Sequence, residues 1–234
     1  GRTLVEVPLE ETGRLDLDRI EAAFTDGAKA MILCSPHNPT GTVPARDELE
    51  ELAEMAVRAG AWILADEIHA PLTLPGAVHT PFLHVSPAAR ECGICVTSAS
   101  KTFNIAGLGC ALIVTASERA AGLVSRLPAG ATHPGHLGVI ASRAAFERGD
   151  NWLGQVIARL DQNRNLLAEL LALYMPRAVY RPPAAGYLAW IDATECGLGI
   201  DPSIAILDRG RVAVSSGPGF GSGGEWHFRL NIGT

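Results

Sequence analysis

Four short apolar runs constrain the fold of this chain more than any other feature of its sequence. None of them alternates apolar with polar residues, so each is predicted to be a strand covered on both faces. A helical pattern with Gly60 as its stop separates the first two runs, and this strand–helix–strand order predicts a mainly parallel sheet. The runs are residues 30–34, 62–65, 93–97 and 111–114, and the helix is predicted over residues 46–59.

The pattern changes after about residue 128. A long helical region is predicted from there, interrupted near Gly149, and Asp201 followed by Pro202 is a strong helix start. We therefore predict a three-layer α/β/α fold, with a large domain over residues 1–130 and a smaller α/β domain over residues 131–234. The predicted elements of the second part are the helical region 137–174, strands at 187–192, 212–214 and 226–230, and a turn or mobile loop at 217–224.

Composition and charge exclude several classes of function. The 234 residues include 19 Lys and Arg against 25 Asp and Glu, a net charge of −6, and the basic residues form no long run. We therefore expect no nucleic-acid or membrane partner. The five cysteines are irregularly spaced, and Cys92 and Cys95 have no second pair or His cluster near them. We expect reduced thiols, no metal site and a cytoplasmic protein without a signal peptide.

Polar residues follow the first two predicted strands. The segment Ser35-Pro36-His37-Asn38-Pro39-Thr40-Gly41 comes directly after the first, and its two prolines predict a rigid turn that fixes the Asn38 side chain. Asp66 ends the second strand, where a carboxylate is costly unless it is paired or belongs to a site. It is suited to pairing with a protonated ring nitrogen. A solvated loop carboxylate stays open as an alternative, and a metal ligand is disfavoured because no second ligand cluster has the right spacing.

A lysine and an arginine complete the set of candidate residues. Lys101 lies just past the third strand and is flanked by hydroxyl side chains, an arrangement suited to a desolvated amine nucleophile near a bound phosphate. Arg229 lies within an apolar strand, and its planar fork fits a substrate carboxylate. Each residue also has an ordinary interpretation, a surface lysine for one and an internal salt bridge for the other.

In this order, the motifs strongly resemble those of the fold type I pyridoxal 5′-phosphate (PLP) enzymes of the class I/II aminotransferase superfamily. They are Asn-Pro-Thr-Gly from Asn38, Asp-x-x-His from Asp66, Ser-x-Ser-Lys ending at Lys101 and Arg-Leu-Asn from Arg229. Together they run through nearly the whole chain. Two segments look most like those of the cystathionine β-lyase branch, the MalY/PatB type of C–S lyase. They are Asp-Glu-Ile-His from Asp66 and Ser-Lys-Thr-Phe-Asn-Ile-Ala-Gly-Leu from Ser100.

The resemblance implies PLP as the cofactor and a role for each motif. Lys101 would hold PLP as a Schiff base and then shuttle the proton at the substrate Cα. Asp66 would pair with the pyridinium nitrogen, and Asn38 would hydrogen-bond the phenolic oxygen of the ring. His69 stands where many aminotransferases have a tyrosine that contacts the same oxygen.

The resemblance also implies where the phosphate and the substrate bind. Ser98 is the implied phosphate contact, Ser100 is a weaker candidate, and Arg229 would bind the α-carboxylate of an amino-acid substrate. At Gly109 many aminotransferases instead have an arginine that binds phosphate, and this departure agrees with the lyase branch. Family members have a further N-terminal portion and continue beyond the arginine motif. We therefore expect the chain to be a fragment, and whether it is active alone stays open.

The implied function is β-elimination from cystathionine or a related cysteine S-conjugate, giving pyruvate, ammonia and a thiol, by a homodimer that works in amino-acid metabolism. The first alternative is an aminotransferase, because that reaction would use the same Lys101, Asp66 and Arg229. The second is a non-catalytic PLP-fold module of a transcription regulator. Dependence on a 2-oxo acid separates the first two, and a DNA-binding pattern upstream of Gly1 would indicate the third.

Overall fold

The computed structural model describes residues 2–233, which form two β-sheets connected by helices. No helix among these residues is both long and apolar enough to cross a bilayer. The helices are α1 (Leu17–Thr25), α2 (Arg46–Ala59), α3 (Phe82–Val85), α4 (Pro87–Cys92), α5 (Ala99–Thr102), α6 (Glu118–Val124), α7 (His136–Arg148), α8 (Asp150–Tyr174) and α9 (Pro202–Gly210). The strands are β1 (Ala30–Cys34), β2 (Trp62–Asp66), β3 (Gly93–Thr97), β4 (Leu112–Thr115), β5 (Val179–Tyr180), β6 (Leu188–Asp192), β7 (Ser215–Ser216) and β8 (His227–Asn231).

The first sheet has the strand order β1-β2-β3-β4. The pairs β1–β2 and β2–β3 are parallel and β3–β4 is antiparallel, which confirms the prediction of a mainly parallel sheet. Parallel strands end at a common edge, so Cys34 of β1 lies beside Asp66 of β2, and Asp66 lies beside Val96 of β3. The loops that follow these three strands therefore meet at one edge of the sheet.

One face of this sheet packs against α1 to α4. The strand residues Leu33 and Ile63 belong to the same buried cluster as Leu52 of α2. On the other face, Ile32 is 73% exposed and Leu64 is 37% exposed. The predicted cover on both faces is therefore not met at these two residues. An apolar run shows that the side chains on both faces of a strand are apolar, but it does not show what packs against each face. Here the helices α1 to α4 pack on one face only.

The ends of α2 show why this helix forms where the sequence predicts it. Glu48 in the first turn is buried, and its carboxylate accepts from the backbone N–H of Ala45 at 2.8 Å and of Leu15 at 3.0 Å. Gly60 ends the helix in the left-handed conformation, with φ of 63°. The helix is thus capped at both ends and lies firmly against β2.

The second sheet, of order β5-β6-β8-β7, is antiparallel throughout. Its buried residues, including Ile191 and Phe228, pack with Leu171 of α8. The strand predicted at 212–214 is wrong, because pairing with β8 begins only at Ser215. Arg211 ends α9 with φ of 55°, and the chain after it leaves the helix without a strand partner until that point.

Helix α8 joins the two sheets. It is separated from α7 at Gly149, as predicted. Leu160 packs against Leu72 and Leu74, which follow β2. The guanidinium of Arg164 donates to the carbonyl oxygens of Pro75 at 2.8 Å and Pro183 at 2.7 Å, and so holds both parts together. The domain boundary near residue 130 stays a prediction.

Candidate active site

A cavity of about 510 Å³ lies where the loops after β1, β2 and β3 approach the second sheet. Four of the residues predicted from the sequence line it, and they come from four different parts of the chain. The lining residues are Asn38, Ile68, His69, Lys101, Tyr187, Leu188, Ser215, Arg229 and Asn231. A larger groove of about 890 Å³ runs beside the N-terminal segment and includes neither Lys101 nor Arg229. Side-chain chemistry, and not size, therefore identifies the smaller cavity as the candidate active site.

Arg229 is one of two cationic side chains that line the cavity, with Lys101, and its side-chain hydrogen-bond partners are neutral. It lies in β8 between Trp190 of β6 and Ser215 of β7. Its guanidinium donates to Oδ1 of Asn38 at 2.9 Å and to Oγ of Ser215 at 3.1 Å. No carboxylate within residues 2–233 forms an ion pair with it, so the internal salt bridge is absent from that part of the chain. Burial lowers the pKa of Arg229, and the nearby Tyr187 acts in the opposite direction. A half-buried cation of this kind is stabilised by an incoming anion.

Asp66 stands at the end of β2, on the same edge of the sheet. Its Oδ1 accepts from the backbone N–H of Ile68 at 3.2 Å, and this contact shapes the turn that follows the strand. No Lys, Arg or His of residues 2–233 forms an ion pair with it. Its half-buried carboxylate can therefore pair with a cationic group that enters the site.

Glu67, the next residue, is buried, and its carboxylate contacts other residues of the fold. Its carboxylate accepts from the backbone N–H of Phe82 at 2.6 Å and lies 3.7 Å from Nε2 of His79, a distance that is too long for a hydrogen bond. Burial raises the pKa of Glu67, but His79, the Phe82 amide and the Cys95 thiol lower it, and the net pKa is below the ordinary value. Glu67 therefore anchors the turn that carries Asp66 and is not available to a ligand.

His69 is buried close to the charged residues of the site. Burial lowers the pKa of the imidazole, and the positive charges of Lys101 and Arg229 lower it too, against the opposing effect of Asp66. The ring centroid lies 5.7 Å from that of Tyr187. His69 is therefore a neutral ring at pH 7.

Lys101 lies in α5, the short helix that follows β3. The helix starts at Ser98, whose hydroxyl accepts from the backbone N–H of Ser100 at 3.0 Å and donates to the carbonyl oxygen of Cys110 at 2.6 Å. These contacts direct the helix so that Lys101 lines the cavity. Neither Ser98 nor Ser100 is among the lining residues, and their predicted contact with a phosphate stays a prediction.

Five of the nine lining residues were not predicted as site residues, and two of them, Ser215 and Tyr187, contact predicted ones. Ser215 holds one end of the Arg229 guanidinium, but its strand is only two residues long, and the predicted strand stopped one residue before it. Tyr187 lines the cavity next to His69, although the sequence indicated only that it begins a strand. The available signal for Tyr187 was its position, because it is an aromatic residue that directly follows Gly186 at the start of a predicted strand. No signal pointed to Ser215.

The sequence pattern of the family described as "Aminotransferase class I and II" matches residues 1–234. The chain belongs to this family. The resemblance inferred from the four ordered motifs is therefore confirmed, and so is the α/β fold that it implies.

Several proteins that carry functional names are similar to this chain. A Mycobacterium tuberculosis protein provisionally named a cystathionine beta-lyase is 43% identical over all of this chain and 63% of its own length. The cystathionine beta-lyase PatB of Bacillus subtilis is 33% identical, again over the whole chain and over 62% of its own length. The PLP-bound C-S lyase of Staphylococcus hominis has a TM-score of 0.89 at 30% identity, covering 98% of this chain and 61% of its own. The chain thus spans about three fifths of the length of the curated relatives it matches.

Proposed function

We propose that the protein is a PLP-dependent C–S β-lyase that cleaves cystathionine or a related cysteine S-conjugate to pyruvate, ammonia and a thiol. The observation that carries the proposal is one cavity that the Lys101 amine, the His69 ring and the Arg229 guanidinium line together, with no carboxylate among residues 2–233 paired to that guanidinium. The choice of a C–S bond is supported by the names of relatives that align with at least 98% of this chain. Because the chain is shorter than those relatives, the activity is a proposal for the whole protein.

The side chains of the site fit PLP in their chemistry. The amine of Lys101 suits the aldehyde of PLP. The Asp66 carboxylate suits a protonated ring nitrogen, and Asn38 suits the phenolic oxygen of the ring, with His69 beside it. For the phosphate we propose Ser98, with Ser100 as the weaker candidate.

The residues of this chain provide the steps of substrate binding and proton transfer. PLP, when bound, supplies an electron sink for negative charge at the substrate Cα. Arg229 binds the α-carboxylate through two parallel N–H donors and so orients the amino acid. The Lys101 amine takes the proton from Cα. The electrons of the Cβ–S bond leave with sulfur, which becomes a thiol on protonation, and one water completes the conversion to pyruvate and ammonia. Burial holds the pKa of His69 below its ordinary value, so this ring adds no positive charge beside Arg229.

Product analysis tests the proposal. The protein loaded with PLP is given cystathionine without any 2-oxo acid, and pyruvate, ammonia and thiol are measured together. Equal amounts of the three products are expected. Amino-group transfer that requires a 2-oxo acid would instead assign the aminotransferase reaction to the same residues. PLP binding without either reaction would favour the non-catalytic regulator module.

We further propose that the protein is a cytoplasmic homodimer whose large domain ends near residue 130. The support is the family, together with five cysteines that are free in the structure. Light scattering of the purified protein tests the assembly, because a monomeric mass at working concentration would contradict it. Limited proteolysis tests the domain boundary, and early cleavage close to residue 130 is the expected result.

A further inference from the structure

The glycine-rich segment 217–224 plays no part in the reaction proposed above, yet it brings an aromatic ring to Arg229. Cζ of Arg229 lies 4.7 Å from the ring centroid of Phe220. Arg229 lines the cavity, whereas Phe220 lines the neighbouring groove. The ring therefore contacts the guanidinium from outside the cavity and leaves the cavity itself free for a ligand.

The backbone of the segment places this ring in a defined position. Gly217 donates to the carbonyl oxygen of His227 at 3.1 Å, and Phe220 donates to that of Gly217 at 2.9 Å. A Cβ atom at Gly217 or at Gly224 would overlap carbonyl oxygens of the closed segment, so only glycine allows the two ends to approach this closely. The segment thus forms a turn that is closed by backbone hydrogen bonds.

Two further contacts hold the segment from outside. The ring of Phe220 meets the Trp190 ring edge-on, with centroids 5.3 Å apart, and Trp190 stacks on His227 at 5.0 Å. On the other side, the carboxylate of Glu6 accepts from the hydroxyl of Ser222 at 2.6 Å and from its backbone N–H at 3.2 Å. The segment 217–224 is therefore held by Trp190 of β6 on one side, through Phe220, and by Glu6 on the other, through Ser222.

The chemistry of the contact explains why an aromatic ring is useful there. A carboxylate beside Arg229 would stabilise the guanidinium but would compete with the carboxylate of a substrate. An aromatic face attracts the cation and fixes its plane without neutralising it. The two hydrogen-bond partners of the guanidinium, Asn38 and Ser215, are also neutral and therefore do not neutralise its charge either. The full positive charge thus remains available to a ligand.

We propose that Phe220 is a positioning residue for Arg229 and that it sets the affinity of the site for carboxylates. The proposal rests on the function proposed above, because it takes Arg229 as the substrate-carboxylate site. Loss of the ring loosens a contact that is the same in the bound substrate and in the transition state. Such a change raises KM and leaves kcat unaltered.

The test compares Phe220→Leu, which keeps an apolar side chain without a ring, with Phe220→Tyr, which restores the ring. Phe146→Leu is the matched control, since Phe146 is also a partly exposed ring in an edge-on contact (42% exposed against 38%), with Phe103 instead of Trp190. Phe220→Leu is expected to raise KM for cystathionine about fivefold, within the range of cation–π contacts. Phe220→Tyr and Phe146→Leu should match the unmodified protein. Equal KM in all four proteins would overturn the proposal.

A second measurement separates this proposal from the proposed reaction. Titration calorimetry on the PLP-loaded protein compares 3-(methylthio)propionate with its uncharged amide. Phe220→Leu is expected to weaken binding of the acid about fivefold and to leave that of the amide unchanged. That result in a protein without lyase activity would retain the role of Phe220 and reject the lyase. Equal loss for acid and amide, or no loss for either, would reject the role of Phe220 even in an active lyase.

Discussion

The two sheets contribute to the site in different ways. In the parallel sheet, the functional residues lie at or just after strand ends, so that Asn38, Asp66 and Lys101 are all on the common edge of β1, β2 and β3, although Asp66 is not among the residues that line the cavity. In the antiparallel sheet, Arg229 lies within a strand and depends on its lateral neighbours. A strand end is positioned by topology, whereas a mid-strand side chain is positioned by register. In the parallel sheet, each loop after a strand can therefore carry a residue with its own task. In the antiparallel sheet, the position of Arg229 depends on several neighbouring residues.

Lys101 is expected to give the largest effect, because it performs both cofactor attachment and proton transfer in the proposed reaction. Lys101→Ala should reduce pyruvate release from cystathionine by at least about 100-fold, the contribution of a positioned proton carrier. The chain contains only one other lysine, Lys29, which is exposed and donates to the carbonyl oxygen of Ala59 at 3.0 Å.

Lys29→Ala is therefore the matched control for Lys101→Ala among the lysines of this sequence. Borohydride reduction followed by peptide mapping provides a readout that does not need turnover, since it fixes PLP to the amine that holds it. The label should be found at Lys101 and be absent after Lys101→Ala. A label at Lys29, or substantial activity in Lys101→Ala, would contradict the assignment.

Arg229 is expected to give the next largest effect and tests the contribution of the antiparallel sheet. Arg229→Leu should lower kcat/KM for cystathionine about 100-fold, because a desolvated charge pair with the substrate is lost. Arg229→Lys should recover only part of this, since a lysine cannot form two parallel hydrogen bonds to one carboxylate. Arg143→Leu, which removes an exposed arginine paired with Glu147, is the control and should be silent. Equal kinetics in Arg229→Leu and Arg143→Leu would remove the carboxylate role.

Glu67 and Asp66 test whether two neighbouring carboxylates of the parallel sheet differ in role, one stabilising the fold and the other binding the cofactor. Glu67→Leu should lower the free energy of unfolding by about 2 kcal/mol, because the buried N–H of Phe82 loses a charged acceptor. Asp66→Asn should instead lower PLP affinity and turnover with little change in stability. Urea denaturation of the two variants measures the difference. Equal destabilisation by both would mean that the two carboxylates do not differ in role.

The pKa of Glu67 also predicts how stability depends on pH. Its pKa in the folded protein is below the ordinary value of 4.5, so the carboxylate stabilises the fold fully above pH 4.5. That contribution is lost as the pH falls through the lower folded pKa. Glu67→Gln should therefore flatten the acid limb of the stability curve, and an unchanged limb would show that other carboxylates determine it.

Glu6 is expected to give the smallest effect, since it acts on Arg229 only through the segment 217–224. Its pKa is lowered by the hydrogen bonds from the Ser222 side chain and backbone, which indicates that the contact favours the ionised form. Glu6→Gln should raise KM for cystathionine by a factor of about two, as expected for an exposed contact. Glu11→Gln is the control from the same segment. A Glu6→Gln effect larger than that of Phe220→Leu would show that Glu6 reaches the site by another route.

The sequence predicts the parallel sheet better than the antiparallel one for a physical reason. Strands β1 and β3 and helix α2 have the predicted bounds, because their apolar runs and the Gly60 stop are local signals. Strand β7 was misplaced because two serines have no apolar pattern, and only their pairing with β8 makes them a strand. The uncovered position of Ile32 was missed because it depends on what packs against the strand and not on the strand itself.

The candidate site follows the same division. The four ordered motifs predicted Asn38, His69, Lys101 and Arg229, all of which line one cavity. The motifs did not predict that Asn38 and Arg229 contact each other, or that Phe220 covers the guanidinium. These contacts join residues that are far apart in the chain, so no local pattern contains them.

The pairing of β8 has a consequence for how this part of the chain can change in length. Arg229 alternates with Phe228 and Leu230, which belong to the buried cluster beneath the second sheet. A shift of one residue in β8 would move the guanidinium into that cluster and bring an apolar side chain to the site. A shift of two residues would restore the alternation but replace Arg229 with Asn231 or His227. Insertions and deletions should therefore be tolerated in the chain between α9 and β7 and be rejected within β8, whatever residue they introduce.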